Sequence, residues 1–251
     1  MKMNVKALKT TVGIWLCLIG VFIIIHFAYL FAGIDSDNRV VVDDVLLTIL
    51  VLFLNKKYLN LKLNHQVDIS VGEVLRVNSL PIVIYFFYIT SWFAKLPNTS
   101  LYHIVDALLL ALAVAVFEET FFRGILINNM LRYSARSFSG YLSVILCSSI
   151  LFGVTHMVNL FGQSFSATLL QAINAFSIGV MLAAIYLRTG SLKWTILYHF
   201  MLDFTGIVIN EGIVIAAPTP QRWFGVFVLD ILYIFTGIFL VRKTQRKKLV
   251  F

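Results

Sequence analysis

Apolar residues run along this chain in long blocks separated by short polar turns. A helix needs about 20 apolar residues to cross the hydrocarbon core of a bilayer. Blocks near that length occupy approximately residues 11–33, 40–54, 79–94, 104–131, 141–161, 166–187, 192–209 and 223–241. The pattern predicts an all-α fold, a polytopic membrane helical bundle of about eight transmembrane helices. The second block is the weakest, being short with Asp43 and Asp44 near one end, so seven spans is the alternative. Between the second and third blocks, VDISVGEVLRVNSL, residues 67–80, mixes apolar residues with Glu73 and Arg76 before Pro81. It predicts a short amphipathic helix along the membrane surface.

Composition agrees with the pattern. Sixty per cent of the 251 residues are hydrophobic, 13% are charged and the mean hydropathy is +0.90, far from the average of soluble domains. No Gly/Ser-rich or Pro-rich linker divides residues 1–251, so the chain reads as a single membrane domain. The net charge of +8 does not point to nucleic acid, because the basic residues sit in short clusters between the apolar blocks. Alternating the loops puts Lys2, Lys6, Lys9, Lys56, Lys57, Lys62, Arg132, Arg136, Arg188, Lys193 and the tail Arg242, Lys243, Arg246, Lys247 and Lys248 on one side. Only Arg39, Lys95 and Arg222 fall on the other. Such a bias predicts a multi-pass protein of the cell membrane with both termini cytoplasmic, and favours eight spans over seven. The first block is too long for a typical signal-peptide core and lacks a convincing cleavage site, so it reads as an uncleaved anchor. Cys17 and Cys147, both in apolar segments without a CxxC, read as buried reduced thiols.

Against this background the charges inside the spans stand out. An ionisable group at mid-bilayer costs on the order of 2.5–3.5 kcal/mol, so it is by default a candidate functional group. The fourth block carries Glu118, Glu119 and Arg123 in AVAVFEETFFRG, the fifth ends FGVTH at His156, and the seventh holds HFMLD with His199 and Asp203. At about 1.5 Å per residue, Glu118, His156 and Asp203 lie roughly 18–23 Å from the cytoplasmic ends of their helices, and Arg123 and His199 roughly 12 Å. Similar depth on three non-adjacent helices predicts a shared site. Glu119 and Arg123 are four apart and can neutralise each other along one face. Glu118 is turned about 100° from Glu119, which leaves its carboxylate for another task. His199 and Asp203 share a face at the same spacing, and Phe152 should shield His156. Each pair alone has an ordinary structural explanation as an ion pair, a satisfied core histidine or an interhelical hydrogen bond. Outside this set, His26, His65, His103 and Asp106 lack partners or sit near interfaces, and Asp230 reads as a helix-packing residue.

EETFFRG, FGVTH and HFMLD, in that order on successive hydrophobic spans, resemble the motifs EExxxR, FxxxH and HxxxN/D of the CPBP intramembrane proteases. That family comprises the CAAX prenyl endopeptidases and the bacterial bacteriocin-processing or immunity proteins also called Abi proteins. The resemblance covers a core of about residues 100–210. It implies an all-helical membrane fold with a catalytic cavity open toward the cytoplasmic side, and cleavage of a peptide bond in a membrane-embedded or membrane-associated peptide or protein. Residue by residue, it implies that Glu118 and His156 activate a water, that His199 and position 203 stabilise the oxyanion, and that Glu119 and Arg123 support them. The prenyl endopeptidases usually carry Asn where this chain has Asp203. An amide donates to an oxyanion and an ionised carboxylate repels it, so Asp203 must either be protonated or hold His199 in the correct tautomer, the role favoured at this stage.

No GxSxG context surrounds Ser148 or Ser149, so an activated water is the expected nucleophile. A metal version competes: Glu118, His156, His199 and Asp203 could hold Zn²⁺ with one position left for water, although the HExxH spacing of common zinc peptidases is absent. The metal-free glutamate mechanism, with no cofactor, is favoured. Intramembrane Glu, His and Asp also build proton relays, so a proton- or ion-coupled transporter is a second reading. A non-catalytic immunity protein is a third. The expectation carried forward is a bacterial CAAX-type intramembrane endopeptidase acting in bacteriocin self-immunity or peptide maturation.

Overall fold

The computed structural model describes residues 5–33, 39–65, 69–134, 137–210, 212 and 217–242. Lys2, Arg136, Lys243, Arg246, Lys247 and Lys248, on which part of the charge bias rests, lie outside the described residues, as do positions 67 and 68. All eight apolar blocks are helical, and there is no strand among the described residues. The helices are α1 (Val5–Ala32), α2 (Val40–Leu54), α3 (Val71–Lys95), α4 (Leu101–Glu119), α5 (Asn128–Leu131), α6 (Phe138–Thr155), α7 (Phe165–Thr189), α8 (Leu192–Asn210) and α9 (Pro220–Val241). A π-helical stretch, Thr120–Ile127, fuses α4 and α5 into one rod, and a 3₁₀ stretch, His156–Phe161, extends α6.

Seven of these rods are long and apolar enough to cross a membrane. The eighth, α2 with its π-helical continuation Asn55–Leu59, is helical throughout but carries Asp43 and Asp44 at one end and Lys56 and Lys57 at the other. It packs chiefly on α4. The count of spans by length and composition is therefore seven, and the charged ends of α2 are what separate it from the rest.

The separate surface helix expected at 67–80 is not observed. Residues from Val71 onward are the first turns of α3, started by Ser70, whose hydroxyl accepts from the Glu73 N–H. The helix runs on through Pro81. Proline removes one rung of the ladder, and the helix-compatible sequence on either side is long enough to carry the loss.

Helix α7 is the centre of the bundle, with 61% of its apolar window buried, whereas α1 with 6% lies at the edge. Helices α6, α8 and α9 all pack on α7, and α4 packs on α8. A left-handed Gly190 ends α7 and lets α8 begin two residues later. Residues 60–65 fold over this turn: the Leu192 N–H donates to the Asn64 carbonyl (3.0 Å), Ser191 Oγ to His65 O (3.0 Å) and Asn128 Nδ2 to Lys62 O (3.1 Å). Between α7 and α9, Asn174 Nδ2 donates to Asp230 Oδ1 at 2.8 Å, the packing role expected for Asp230.

At Gly237 the α7–α9 contact is so close that a Cβ would sit 2.8 Å from the Val180 carbonyl oxygen, whereas nothing lies within 4 Å of a Cβ at Gly225 on the same helix. Small residues at such points let membrane helices pack backbone to backbone. Gly237→Ala is expected to cost about 1–3 kcal/mol, and Gly225→Ala to leave stability unchanged or slightly raised. Thermal denaturation of the detergent-solubilised variants reads the difference, and equal melting temperatures would show the contact to be slack.

Candidate active site

The site is assembled where α4 and α8 pack together, beside α6. Glu119 is completely buried at the end of α4. One turn later, inside the π-helical stretch, Arg123 Nη1 donates to Glu119 Oε1 at 2.7 Å, the i, i+4 pair expected from the sequence. The Arg123 guanidinium also lies over the Phe152 ring, 4.6 Å from its centroid. Phe152 meets both histidines edge-on, with centroids 5.0 Å from His156 and 5.7 Å from His199. One ring thus insulates the cation and separates the two imidazoles.

His199 is held from both sides. Its Nδ1 is 2.8 Å from Glu119 Oε1, and its Nε2 is 3.4 Å from Glu118 Oε2 and 3.3 Å from Asp203 Oδ2. Since Glu119 already accepts from Arg123, it is a carboxylate that takes the Nδ1 proton as well. Glu119 thus stands at the Nδ1 side of the imidazole and Asp203 at the Nε2 side. At least one proton must lie between Nε2, Glu118 and Asp203, because otherwise an imidazole lone pair would face two carboxylates. Glu118 and Glu119 approach opposite nitrogens of one ring from adjacent positions on α4, a use of the 100° offset between them. His156 stands at the end of α6, with Nδ1 3.0 Å from the Phe152 carbonyl oxygen. A carbonyl only accepts, so Nδ1 carries a proton, and in the neutral ring Nε2 then presents a lone pair.

Buried Glu118 Oε2, Glu119 Oε2 and Arg123 Nε make no hydrogen bond among the described residues. Such orphan atoms are uncommon in folded interiors, and Glu118 Oε2 is an oxygen available to a substrate water. The Asp203 side chain is 31% exposed and that of Glu118 14%, so the cluster reaches the surface through these two groups. Two cavities, of about 410 Å³ beside Trp92 and about 220 Å³ beside Arg188, lie elsewhere. The catalytic cavity that the family resemblance implies is neither of them, and the side chains of the cluster pack directly on one another.

Two groups near the cluster were not singled out in the sequence. Asp44 of α2 is buried and close enough to Glu118 and Asp203 for their charges to interact. Tyr85 of α3 stacks on Tyr198 at 4.6 Å and has a buried hydroxyl without a hydrogen-bond partner among the described residues, within charge range of Glu119 and Asp203. The Asp43–Asp44 doublet was a signal, read as the end of a short span; a tyrosine in an apolar run gives none. Ser148 and Ser149 donate to the Phe122 and Ile145 carbonyls, which fits packing rather than nucleophilic service. Cys17 and Cys147 are free thiols, Cys17 exposed and Cys147 half-buried, so neither is buried as expected.

A helical membrane protein with a carboxylate–imidazole cluster sunk between its spans is the class these features define. Residues 99–205 match the family described as Rce1-like, type II CAAX prenyl endopeptidase. That segment is similar to the CAAX-type protease family, and the match supports an intramembrane protease kind of function in the membrane. No curated protein and no solved structure matches the chain.

Proposed function

We propose that this chain is an intramembrane endopeptidase that hydrolyses a peptide bond with a water activated by Glu118 and His156. The observation that carries this is the convergence of Glu118, Glu119, His199 and Asp203 through hydrogen-bond and ion-pair distances of 2.8–3.4 Å, inside the segment that matches the protease family. Glu118 presents an oxygen without a hydrogen-bond partner among the described residues, and neutral His156 a lone pair on Nε2, so Glu118 takes up the proton that the attacking water loses while His156 positions that water. Glu118 then passes that proton to the departing amine.

The negative charge of the tetrahedral intermediate needs donors. His199 supplies one from Nε2 while Glu119 holds its other nitrogen, and Asp203 supplies a second in its protonated form. Arg123, fixed by Glu119 and Phe152, compensates the carboxylates from behind. The zinc alternative, with Glu118, His156, His199 and Asp203 as ligands, differs from this scheme in its response to a chelator.

The protein is a multi-pass protein of a bacterial cell membrane, and with α2 crossing as an eighth span beside the seven longer helices both its termini are cytoplasmic. Its substrate is a membrane-embedded or membrane-associated peptide, and its role is bacteriocin self-immunity or peptide maturation. Incubation of the purified protein with a model membrane peptide, with and without a chelator, tests the reading. Cleavage that survives the chelator is expected. Cleavage abolished by chelation and restored by zinc would replace the mechanism, and intact peptide under both conditions would overturn the activity.

A further inference from the structure

Away from the carboxylate cluster, three arginines from different helices meet at the ends of α3, α7 and α9. Arg188, next to the last residue of α7, is buried to 2% exposure. Its Nη1 donates to the Leu240 carbonyl at 2.8 Å and its Nη2 to Glu73 Oε1, while its Nε has no hydrogen-bond partner among the described residues. Arg76 of α3 pairs with the other Glu73 oxygen at 3.2 Å. Arg242 directly follows α9, its Nη1 donating to the Phe239 carbonyl at 2.9 Å and its guanidinium lying 3.6 Å from the Phe239 ring centroid. Between them is a cavity of about 220 Å³ lined by Arg76, Ser79, Arg188, Phe239, Leu240 and Arg242. Arg76 and Arg188 share the Glu73 carboxylate, and Arg242 lines the same cavity beside them.

The location narrows what such a cavity takes. The rod Val71–Asn98 is 28 residues long, roughly 42 Å against a hydrocarbon core of about 30 Å, so its first turns with Glu73 and Arg76 project into the headgroup layer. The ends of α7 and α9 put Arg188 and Arg242 on the same face, the face of the basic loops. A guanidinium fork matches the oxygens of a phosphate, and the Ser79 hydroxyl adds a polar partner. Phe239 and Leu240 give the cavity an apolar wall, suited to the glycerol and first methylenes of a lipid. Basic pockets between membrane helices at this level suit anionic headgroups.

We propose that this cavity is a phosphate-binding site, occupied by the headgroup of an anionic phospholipid and joining α3 to the α7–α9 pair. It stands independently of the protease reading. The test uses the full-length protein in neutral detergent, with native mass spectrometry and thermal melts in phosphatidylglycerol, in phosphatidylcholine, and in phosphatidylcholine plus inorganic phosphate. One phosphatidylglycerol retained per protein and a saturable rise in melting temperature are expected, with neither in phosphatidylcholine alone. The variant Arg76→Gln/Arg242→Gln should lower the apparent affinity by roughly tenfold or more. It leaves in place Arg188, whose bonds to Glu73 and Leu240 hold helices together, and its melting temperature in phosphatidylcholine reports that it is folded. Lys56→Gln/Lys57→Gln, basic residues away from the cavity, should not change the affinity. Inorganic phosphate that reproduces the stabilisation would support the phosphate chemistry and assign its source to solution. Equal behaviour in the two lipids, or equal loss in the lysine and arginine variants, would overturn the site.

Discussion

Glu118→Gln is expected to lower the rate of cleavage of a membrane peptide by about a thousandfold, with the fold intact. The amide keeps the size of the carboxylate but cannot take a proton from water, and loss of a positioned general base is worth about 10²–10⁴ in rate. Glu118 is the member of the cluster suited to this loss without collapse. Its Oε2 makes no hydrogen bond within the described protein, and its side chain is 14% exposed, whereas Glu119 is fully enclosed. Melting temperature should therefore stay close to that of the parent while turnover disappears. Asp203→Asn provides the contrast, since it restores an amide donor beside His199 and should retain most of the activity. The assay is the chelator-treated peptide cleavage, read as kcat and KM separately. Parent-like turnover by Glu118→Gln would remove this residue from the chemistry. A loss in Asp203→Asn as deep as in Glu118→Gln would show that the carboxyl at 203 does something an amide cannot.

How far the sequence discloses this arrangement depends on which physical signal each part leaves. The helices are legible because a span must be apolar along its whole length, and the Glu119–Arg123 pair because four residues return to the same face of a helix. Matched depth put Glu118, His156 and Asp203 on one level, with Arg123 and His199 shallower; in the fold Glu118 and Asp203 meet at His199, and His156 faces the Phe152 ring that also meets His199, because depth says nothing of rotation. In a soluble helix an apolar stripe marks the buried face; here the face toward lipid and the face toward protein are both apolar, so the rotation that aims Glu119 at His199 Nδ1 leaves no trace. The same blindness hid Tyr85. The π-helical stretch Thr120–Ile127 was equally unmarked, since nothing in TFFRGILI departs from an α-helical composition. Asp44 was visible as a charge, but hydropathy treats a charge near the end of a short block as a boundary. The expected surface helix failed for a related reason: Glu73 and Arg76 read as marking a separate surface segment, and α3 carries both in its first turns.

Arg123→Ala is expected to cost about 3–5 kcal/mol of stability, the penalty for stranding one partner of a buried ion pair. Both partners are enclosed, at 1% and 0% side-chain exposure, so solvent screening does little to soften the loss. The carboxylate left behind would still accept from His199 but would face Phe152 where its cation had been. Removing both charges should be far less damaging to the fold, because two apolar side chains of similar length can fill the space without an uncompensated ion. Glu119→Met/Arg123→Met should therefore recover most of the stability lost in Arg123→Ala. It should not recover activity, since Glu119 is also the group that holds the His199 ring by Nδ1. Chemical or thermal denaturation in detergent, run beside the peptide assay, separates the two properties. If the double substitution is active, the His199 orientation does not depend on Glu119, and the positioning role assigned to that carboxylate is lost. If Arg123→Ala melts with the parent, water reaches the pair, and the enclosure of this end of the cluster is wrong.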